Sequence, residues 1–353
     1  MGIFDDIVKG GSIFVDPIAL DYDYQPKLVP YREEQQHYIA NCIKPLFQNR
    51  TGRNLMIAGK SGIGKTVCVR HVLMELEQST EKIKSVYINC WKHDSAYKIA
   101  LEICNQLDFR FVQNRDTSEL FREVARILNK GAAVIVLDEV DKVEKADVVY
   151  TLLEDIFKKA LVLITNEKGW ASTLDNRIRS RLNAEVLEFR PYNFEQTRGI
   201  LKMRMEHAFA PNSFDKGAFE MIAKRAFDLE DIRSGLYLLK EAADIAEAKS
   251  LRKVEMHHAE EAVKKLKDFV IKSTSTLDDV ENRILEMLKK GGRTTTTELY
   301  QTYATSGGKQ SYSNFHKKIK NLEKGRFIFL KEINEGASKV TFVEYGDKKL
   351  SEF

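Results

Sequence analysis

The chain has 353 residues, of which 43% are hydrophobic and 31% charged, and its formal net charge is +4. This length fits two or three domains, and the composition is that of a globular protein rather than a disordered or fibrous one. No apolar run approaches the roughly 20 residues that span a bilayer, and the N-terminus has no signal-peptide pattern, so we expect a cytoplasmic protein without a membrane partner.

Residues 1–190 are predicted to form an α/β domain preceded by an N-terminal arm. A helix is expected from about Arg32, and short apolar runs then alternate with helical stretches. Runs that are apolar throughout are typical of strands that are buried on both faces of a parallel sheet. Their order predicts a doubly wound parallel sheet covered by helices. The five apolar runs lie at 54–59, 85–90, 132–138, 161–165 and 185–189.

The segment GKSGIGKT, residues 59–66, fits the phosphate-loop pattern and stands between a predicted strand and a predicted helix. Glycines let backbone N–H groups point at phosphate oxygens, and the helix adds its positive N-terminal end. Lys65 is expected to reach the β- and γ-phosphates of ATP or ADP, and the Thr66 hydroxyl to bind Mg²⁺. The nucleotide-binding residues predicted here are Gly59, Gly62, Ile63, Gly64, Lys65 and Thr66.

Polar residues follow two of the later apolar runs. Asp138 ends the run at 132–138 and Glu139 follows it, and the carboxyl end of a parallel strand lies next to the phosphate loop. Asp138 is therefore predicted to hold Mg²⁺, and Glu139 to activate the attacking water. Asn166 ends another run, where its amide would either position that water or form an ordinary turn.

Arginines occur at two further places that suit a nucleotide site. Arg177, Arg179 and Arg181 share a short predicted helix, and one of them, with Arg181 as the candidate, would stabilise charge on ATP in a neighbouring subunit. The spacing fits three solvated surface arginines equally well. Arg233 stands near a helix start, where the helix dipole disfavours a cation, so either an anionic partner or a plain surface position is expected.

The rest of the chain divides into two predicted regions. Residues 191–270 contain no strand signals and read as amphipathic helices, which predicts a helical lid domain. Residues 271–353 read as three helices and a hairpin, the order of a winged helix-turn-helix. From Lys272 onward, 15 Lys and Arg stand against 11 Asp and Glu, so the whole net charge lies in this last region. Such an asymmetry points to an anionic partner.

The segment SYSNFHKKIKNLEKGRFIFLKE, residues 311–332, is predicted to be the recognition helix and the first wing strand. Tyr312, Phe315, Ile319 and Leu322 fall on one helical face and are expected to pack in the core. The other face offers lysines to phosphates and Ser and Asn to base edges, although lysines on a helix are often merely solvated. The candidate DNA-binding residues are Ser313, Asn314, Lys317, Lys318, Lys320, Arg326 and Lys339.

These motifs together resemble AAA+ ATPases, and the flanking segments resemble the archaeal origin-recognition initiators. QPKLVPYREEQ resembles their leading segment, which implies that Pro30 and Tyr31 lie against the adenine. FRPYNFEQTRGILKMRMEHAF resembles the start of their lid, which implies that Tyr192 and Arg204, with Arg233, contact the nucleotide. INCWKHDSAYKIALEICNQL falls where the family carries a helical insertion that touches DNA.

The resemblance implies a nucleoid-associated initiator that binds ATP and double-stranded origin DNA. It also implies slow, regulatory hydrolysis, recruitment of the replicative helicase and paralogous initiators as partners. The chain departs from the family pattern at Glu230, where Gly is usual, at Glu167, where Asp is expected, and at Glu335 in the wing. Two alternatives stay open, a clamp or helicase loader that acts on a protein partner and an ATP-sensing transcriptional regulator.

Overall fold

A computed structural model describes residues 12–167, 169–274, 278–292, 294–308, 310–324, 328–335 and 338–345. Its first part is a five-stranded parallel sheet in the order β2-β3-β4-β1-β5. Each strand lies at one of the predicted apolar runs. The strands are β1 (Leu55–Ala58), β2 (Ile83–Asn89), β3 (Ala132–Asp138), β4 (Lys159–Thr165) and β5 (Glu185–Glu188).

Helices cover both faces of this sheet and produce two hydrophobic clusters, one on each side. β3 and β4 are buried along their whole length, as predicted. The same expectation is wrong for β2 and β5. In β5 exposed and half-buried residues alternate and Val186 is 61% exposed, and in β2 Lys84 is exposed and three further residues are only half-buried. Both are edge strands, and the helices do not cover their outer flanks. The helices are α1 (Glu33–Ile43), α2 (Lys65–Ser79), α3 (Ala96–Gln106), α4 (Thr117–Leu128), α5 (Asp147–Asp155), α6 (Trp170–Thr173) and α7 (Asn176–Leu182).

Four helices follow the sheet and form the region called the lid below. Asn193 caps α8 and exchanges hydrogen bonds with Gln196 in a capping box, and Asp231 caps α10. The first described residues of the N-terminal arm pack on these helices. Ile13 and Leu20 are buried in the lid's hydrophobic cluster. The lid helices are α8 (Phe194–Ala208), α9 (Lys216–Asp228), α10 (Ile232–Ala248) and α11 (Met256–Thr274).

The C-terminal region has the predicted order of three helices and a hairpin, with one short strand added. β8 pairs with both β6 and β7 in an antiparallel sheet. Asp278 and Thr295 each cap the following helix in a capping box, with Glu281 and Glu298 respectively. The elements are α12 (Asp279–Gly291), β6 (Thr294–Thr295), α13 (Thr296–Thr305), α14 (Tyr312–Lys324), β7 (Ile328–Glu335) and β8 (Ser338–Tyr345).

Of the four residues predicted to form the apolar face of α14, three are buried. Phe315, Ile319 and Leu322 are at most 1% exposed in the hydrophobic core of this region. Tyr312 is 44% exposed, because it lies in the first turn of the helix and packs edge-to-face on the Tyr300 ring at 5.0 Å. Within the described residues, none of the helices has the length and apolar character that crossing a membrane requires.

Candidate functional site

A cavity of about 410 Å³ opens at the carboxyl edge of the sheet. Three parts of the chain enclose it: the phosphate loop with the ends of β2, β3 and β4, the N-terminal arm, and helices α8 and α10 of the lid. One end is apolar and the other is charged. The predicted residues that line it are Pro30, Gly62, Gly64, Lys65, Thr66, Asp138, Glu139, Asn166, Tyr192, Arg204 and Arg233.

The phosphate loop is folded around its own lysine. Gly62 and Gly64 have φ values of 77° and 86°, and a Cβ at Gly64 would lie 2.6 Å from the Tyr192 hydroxyl, so both positions require glycine. The Lys65 ammonium donates to the carbonyl of Gly59 at 2.7 Å and to the Asn166 side-chain oxygen at 2.8 Å. Burial lowers the pKa of Lys65 to about 8. The loop therefore presents a desolvated cation beside the helix N-terminus, which suits an anionic ligand.

Gly59 and Ile63 do not line the cavity, but their backbone carbonyls accept hydrogen bonds next to it. The Gly59 carbonyl accepts from Lys65, and the Ile63 carbonyl accepts from the Arg32 guanidinium at 3.0 Å. Arg32 is buried, donates also to the Arg190 carbonyl at 2.7 Å, and lies 3.9 Å from the centre of the Tyr192 ring. Sequence reasoning missed Arg32, which joins the arm, the phosphate loop and the start of the lid.

The acidic end of β3 carries an oxygen-rich group of side chains. The Thr66 hydroxyl donates to Asp138 Oδ2 at 2.6 Å, and the Glu139 N–H donates to Asp138 Oδ1 at 2.9 Å. Mg²⁺ prefers oxygen ligands and commonly takes one or two carboxylates together with phosphates, so this pair fits that cation. Burial and the neighbouring Asp138 raise the pKa of Glu139, which suits a base.

Asn166 is oriented by a carboxylate that sequence reasoning missed. Asp141 Oδ1 accepts from the Thr165 hydroxyl at 2.9 Å and from the Asn166 N–H at 3.3 Å. Burial opposes ionisation, but the Lys142 ammonium and these hydrogen bonds outweigh it and hold the pKa of Asp141 low. The signal was present, since Asp141 lies two residues after Glu139 in the sequence DEVD.

The start of α10 contacts the phosphate loop through consecutive residues. The Ile232 N–H donates to the Gly62 carbonyl at 3.2 Å, and Arg233 donates to the Ser61 hydroxyl. Lys60 forms an ion pair with Glu230 at 2.5 Å. Glu230 has a φ of 53°, in the left-handed region that favours glycine. Glu230, which stands where the family pattern usually has Gly, is thus the residue that pairs with Lys60 of the phosphate loop.

The apolar end of the cavity is formed by the arm and the lid. Arg204 is 9% exposed there, donates to the Asp21 carbonyl at 3.2 Å and lies 4.5 Å from the centre of the Tyr24 ring. Tyr31 does not line the cavity. Its φ of 65° directs the side chain to the surface, where its hydroxyl packs on Gly199 of α8. The apolar residues that the arm, α8 and α10 contribute at this end are Pro26, Leu28, Val29, Pro30, Ile200, Met203 and Leu236.

The three arginines of α7 are engaged away from the cavity of their own chain. Arg181 pairs with Glu154 and lies 5.8 Å from the centre of the Tyr150 ring. Arg177 bonds to Asp175, and Arg179 bonds to Asn176. The structure of a single chain therefore does not identify which of the three arginines would reach ATP in a neighbouring subunit.

The α14 surface separates the predicted DNA contacts into two sets. Ser313, Asn314, Lys317 and Lys320 are exposed. Lys318, predicted to face outward with them, pairs with Asp278 and lies 3.5 Å from Glu281. It is therefore engaged at the cap of α12. Arg326 lies outside the described residues, as do the side chains of Lys339 and Glu335.

Two family profiles match parts of the chain. A family described as AAA domain matches residues 48–169, and a family described as Cdc6 AAA+ ATPase-type lid domain matches residues 198–264. The first range contains the phosphate loop and β1 to β4, and the second covers most of the lid. The predicted fold class, an AAA+ sheet domain followed by a helical lid, is confirmed.

Relatives match over most of the chain. ORC1-type DNA replication protein 1 of Archaeoglobus fulgidus is 32% identical over 330 residues, which are 88% of this chain and 80% of the relative. ORC1-type DNA replication protein of Pyrococcus horikoshii is 30% identical over 327 residues, which are 85% of this chain and 78% of the relative. The structure of the Aeropyrum pernix ORC1 protein in complex with DNA has a TM-score of 0.73 at 26% identity, covering 97% of this chain and 96% of that one. A match over 97% of this chain includes its C-terminal region, whose three helices and hairpin are consistent with a winged helix.

Proposed function

Because this chain belongs to the family of ORC1-type DNA replication proteins, we propose that it is an ATP-binding initiator that grips double-stranded origin DNA and helps to recruit the replicative helicase. Residues 1–190 form the nucleotide-binding domain in this proposal, residues 191–270 the lid and residues 271–353 the DNA-binding winged helix. The observation that carries it is the convergence of phosphate loop, acidic strand end and lid arginine on one cavity.

The proposed ligand is ATP or ADP. Lys65 and the backbone of the loop bind the phosphates, and the apolar end around Pro30 takes the base. Arg204 lies at that end, and Arg233 lies at the phosphate end. Mg²⁺, held by Thr66 and Asp138, would neutralise the β- and γ-phosphates. Each of these groups already faces the cavity, which supports nucleotide binding without a large rearrangement.

Hydrolysis is proposed to be slow and regulatory. Glu139 is the base for the attacking water, with its pKa raised toward the working range. Asn166 is held by Asp141 within reach of Lys65 and is proposed to orient that water. Arg181 is proposed to act on ATP bound by a neighbouring chain, which requires it to leave Glu154. Assembly with a second copy or a paralogue would then control turnover.

DNA is proposed to contact two separate surfaces. On α14, Lys317 and Lys320 anchor phosphates, and Ser313 and Asn314 stand in the first turn, near base edges. On the sheet domain, the loop after β2 exposes Trp91, which is 67% exposed and has the Lys142 ammonium 5.7 Å from its ring centre. The related Aeropyrum pernix ORC1 protein was solved in complex with DNA, which supports DNA as the partner.

Footprinting on duplex DNA from the source genome, with and without ATP, tests this function. The proposal expects protection at replication origins by the chain alone and a change in the footprint when ATP is added. Protection that needs a protein partner would favour a clamp or helicase loader. Protection confined to promoters would favour a transcriptional regulator. A pull-down with the replicative helicase then tests recruitment.

A further inference from the structure

Tyr87 of β2 reaches the carboxylate that ends the neighbouring strand. β2 pairs with β3 in parallel, with Tyr87 opposite Val136 and Asn89 opposite Asp138. The Tyr87 hydroxyl donates to Asp138 Oδ2 at 2.6 Å. Its ring lies on the α2 face of the sheet, where the Arg70 guanidinium stacks 4.3 Å from the ring centre. Tyr87 lies two residues before the end of β2, outside the phosphate-loop and acidic-pair motifs, so neither motif predicts this contact.

The Asp138 carboxylate accepts hydrogen bonds from three donors, which lie on α2, on β2 and at the residue that follows β3. Oδ2 accepts from the Thr66 hydroxyl of α2 and from the Tyr87 hydroxyl of β2, each at 2.6 Å. Oδ1 accepts from the Glu139 N–H at 2.9 Å. Donors on both oxygens fix the plane of the carboxylate. The Thr66 hydroxyl is also the group that would turn toward a cation, which leaves Tyr87 as the side-chain donor that keeps Oδ2 in place.

We propose that Tyr87 is a positioning residue of the nucleotide site, which holds the Asp138 carboxylate in the orientation that Mg²⁺ requires. Mg²⁺ demands nearly ideal octahedral geometry, so a carboxylate free to rotate binds it less well. Hydrogen-bond partners of metal-binding groups typically contribute about 10- to 100-fold in metal affinity. The inference rests on the proposed ATP and Mg²⁺ binding.

Tyr87→Phe is the variant that tests this role, because it removes one hydroxyl and keeps the ring that stacks on Arg70. Tyr38→Phe is the matched control: the Tyr38 hydroxyl donates to Glu185 at 2.5 Å, and neither residue lines the cavity. Isothermal titration calorimetry measures the ATP affinity of each full-length protein twice, in excess Mg²⁺ and in EDTA. Thermal melting confirms that each variant is folded.

The expected result is a selective loss of the gain in ATP affinity that Mg²⁺ confers. Tyr87→Phe should bind ATP in EDTA within about twofold of the parent and should lose about tenfold of the Mg²⁺-dependent gain. Tyr38→Phe should match the parent in both conditions. An unchanged gain in Tyr87→Phe, or an equal loss with and without Mg²⁺, overturns the positioning role. A parent chain that binds ATP equally well in both conditions overturns the metal part of the proposed function itself.

Discussion

The Glu230 carboxylate lies 2.5 Å from the Lys60 ammonium and joins the lid to the phosphate loop by an ion pair. The contact sits beside the Ile232–Gly62 backbone hydrogen bond, so the lid start touches the loop over successive residues. An ion pair at this place should slow lid opening and therefore slow nucleotide release.

Lys60→Ala removes that ion pair without changing the backbone at Glu230. Both partners are partly exposed, so the pair is weak and we expect nucleotide release about two- to fivefold faster. The effect should shrink at high salt, because salt screens exposed charges. Stopped-flow release of a fluorescent ADP analogue at two salt concentrations measures it. Lys265→Ala, which breaks the Lys265–Glu241 pair within the lid, should leave release unchanged.

Lys65→Ala separates nucleotide binding from DNA binding. Lys65 is the cation of the phosphate loop, and no predicted DNA contact on α14 depends on it. We expect ATP binding to fall below detection while much of the DNA affinity remains. Calorimetry with ATP and fluorescence anisotropy with duplex DNA give the two affinities. Complete loss of DNA binding by a folded Lys65→Ala protein would contradict two separable sites.

Lys317→Ala and Lys318→Ala should behave differently, although the two lysines are adjacent. Lys317 is exposed, so its loss should weaken binding on all DNA sequences and reduce the salt dependence of log affinity by about 1. Lys318 is paired with Asp278, so its loss should lower thermal stability and leave the salt dependence unchanged. Anisotropy titrations at several salt concentrations and calorimetric melting distinguish the two. Equal salt slopes for both variants would contradict the assignment.

The Lys318 effect should also depend on pH. The hydrogen bond from Lys318 lowers the pKa of Asp278 below 3.8, its unperturbed value. A depressed carboxyl pKa adds stability above the unfolded pKa, and that stability is lost as pH falls through the folded pKa. The difference in melting temperature between parent and Lys318→Ala should therefore be full at neutral pH and fade below about pH 4. Melting curves across that range test it.

Glu139→Gln should retain ATP and abolish its turnover. The variant keeps the size of the side chain and removes the base. In the parent, burial and Asp138 raise the pKa of Glu139 above 4.5, and a protonated Glu139 is inactive, so kcat should rise with pH through that raised value. Phosphate release across pH, with ATP binding measured in parallel, checks both statements. Turnover by Glu139→Gln at the parental rate would exclude the base role.

The parts of the site that were predicted from the sequence are those set by local pattern. The phosphate loop and the strand end at Asp138 each carry their context in neighbouring residues. Arg32 and Tyr87 were missed, because their partners lie far away in sequence and only the folded sheet brings them together. Lys318 was predicted to face outward for the same reason: its partner Asp278 belongs to an earlier helix.

The N-terminal arm is fastened at two points that belong to different bodies. Leu20 is buried among the lid helices, and Arg32 is bonded to the phosphate loop and to the residue before the lid. Between these anchors, residues 22–30 run along the apolar end of the cavity. A chain fixed at both ends has a finite reach, about 3.5 Å per residue at full extension. The length of this segment thus sets an upper limit on how far the lid can move away from the phosphate loop.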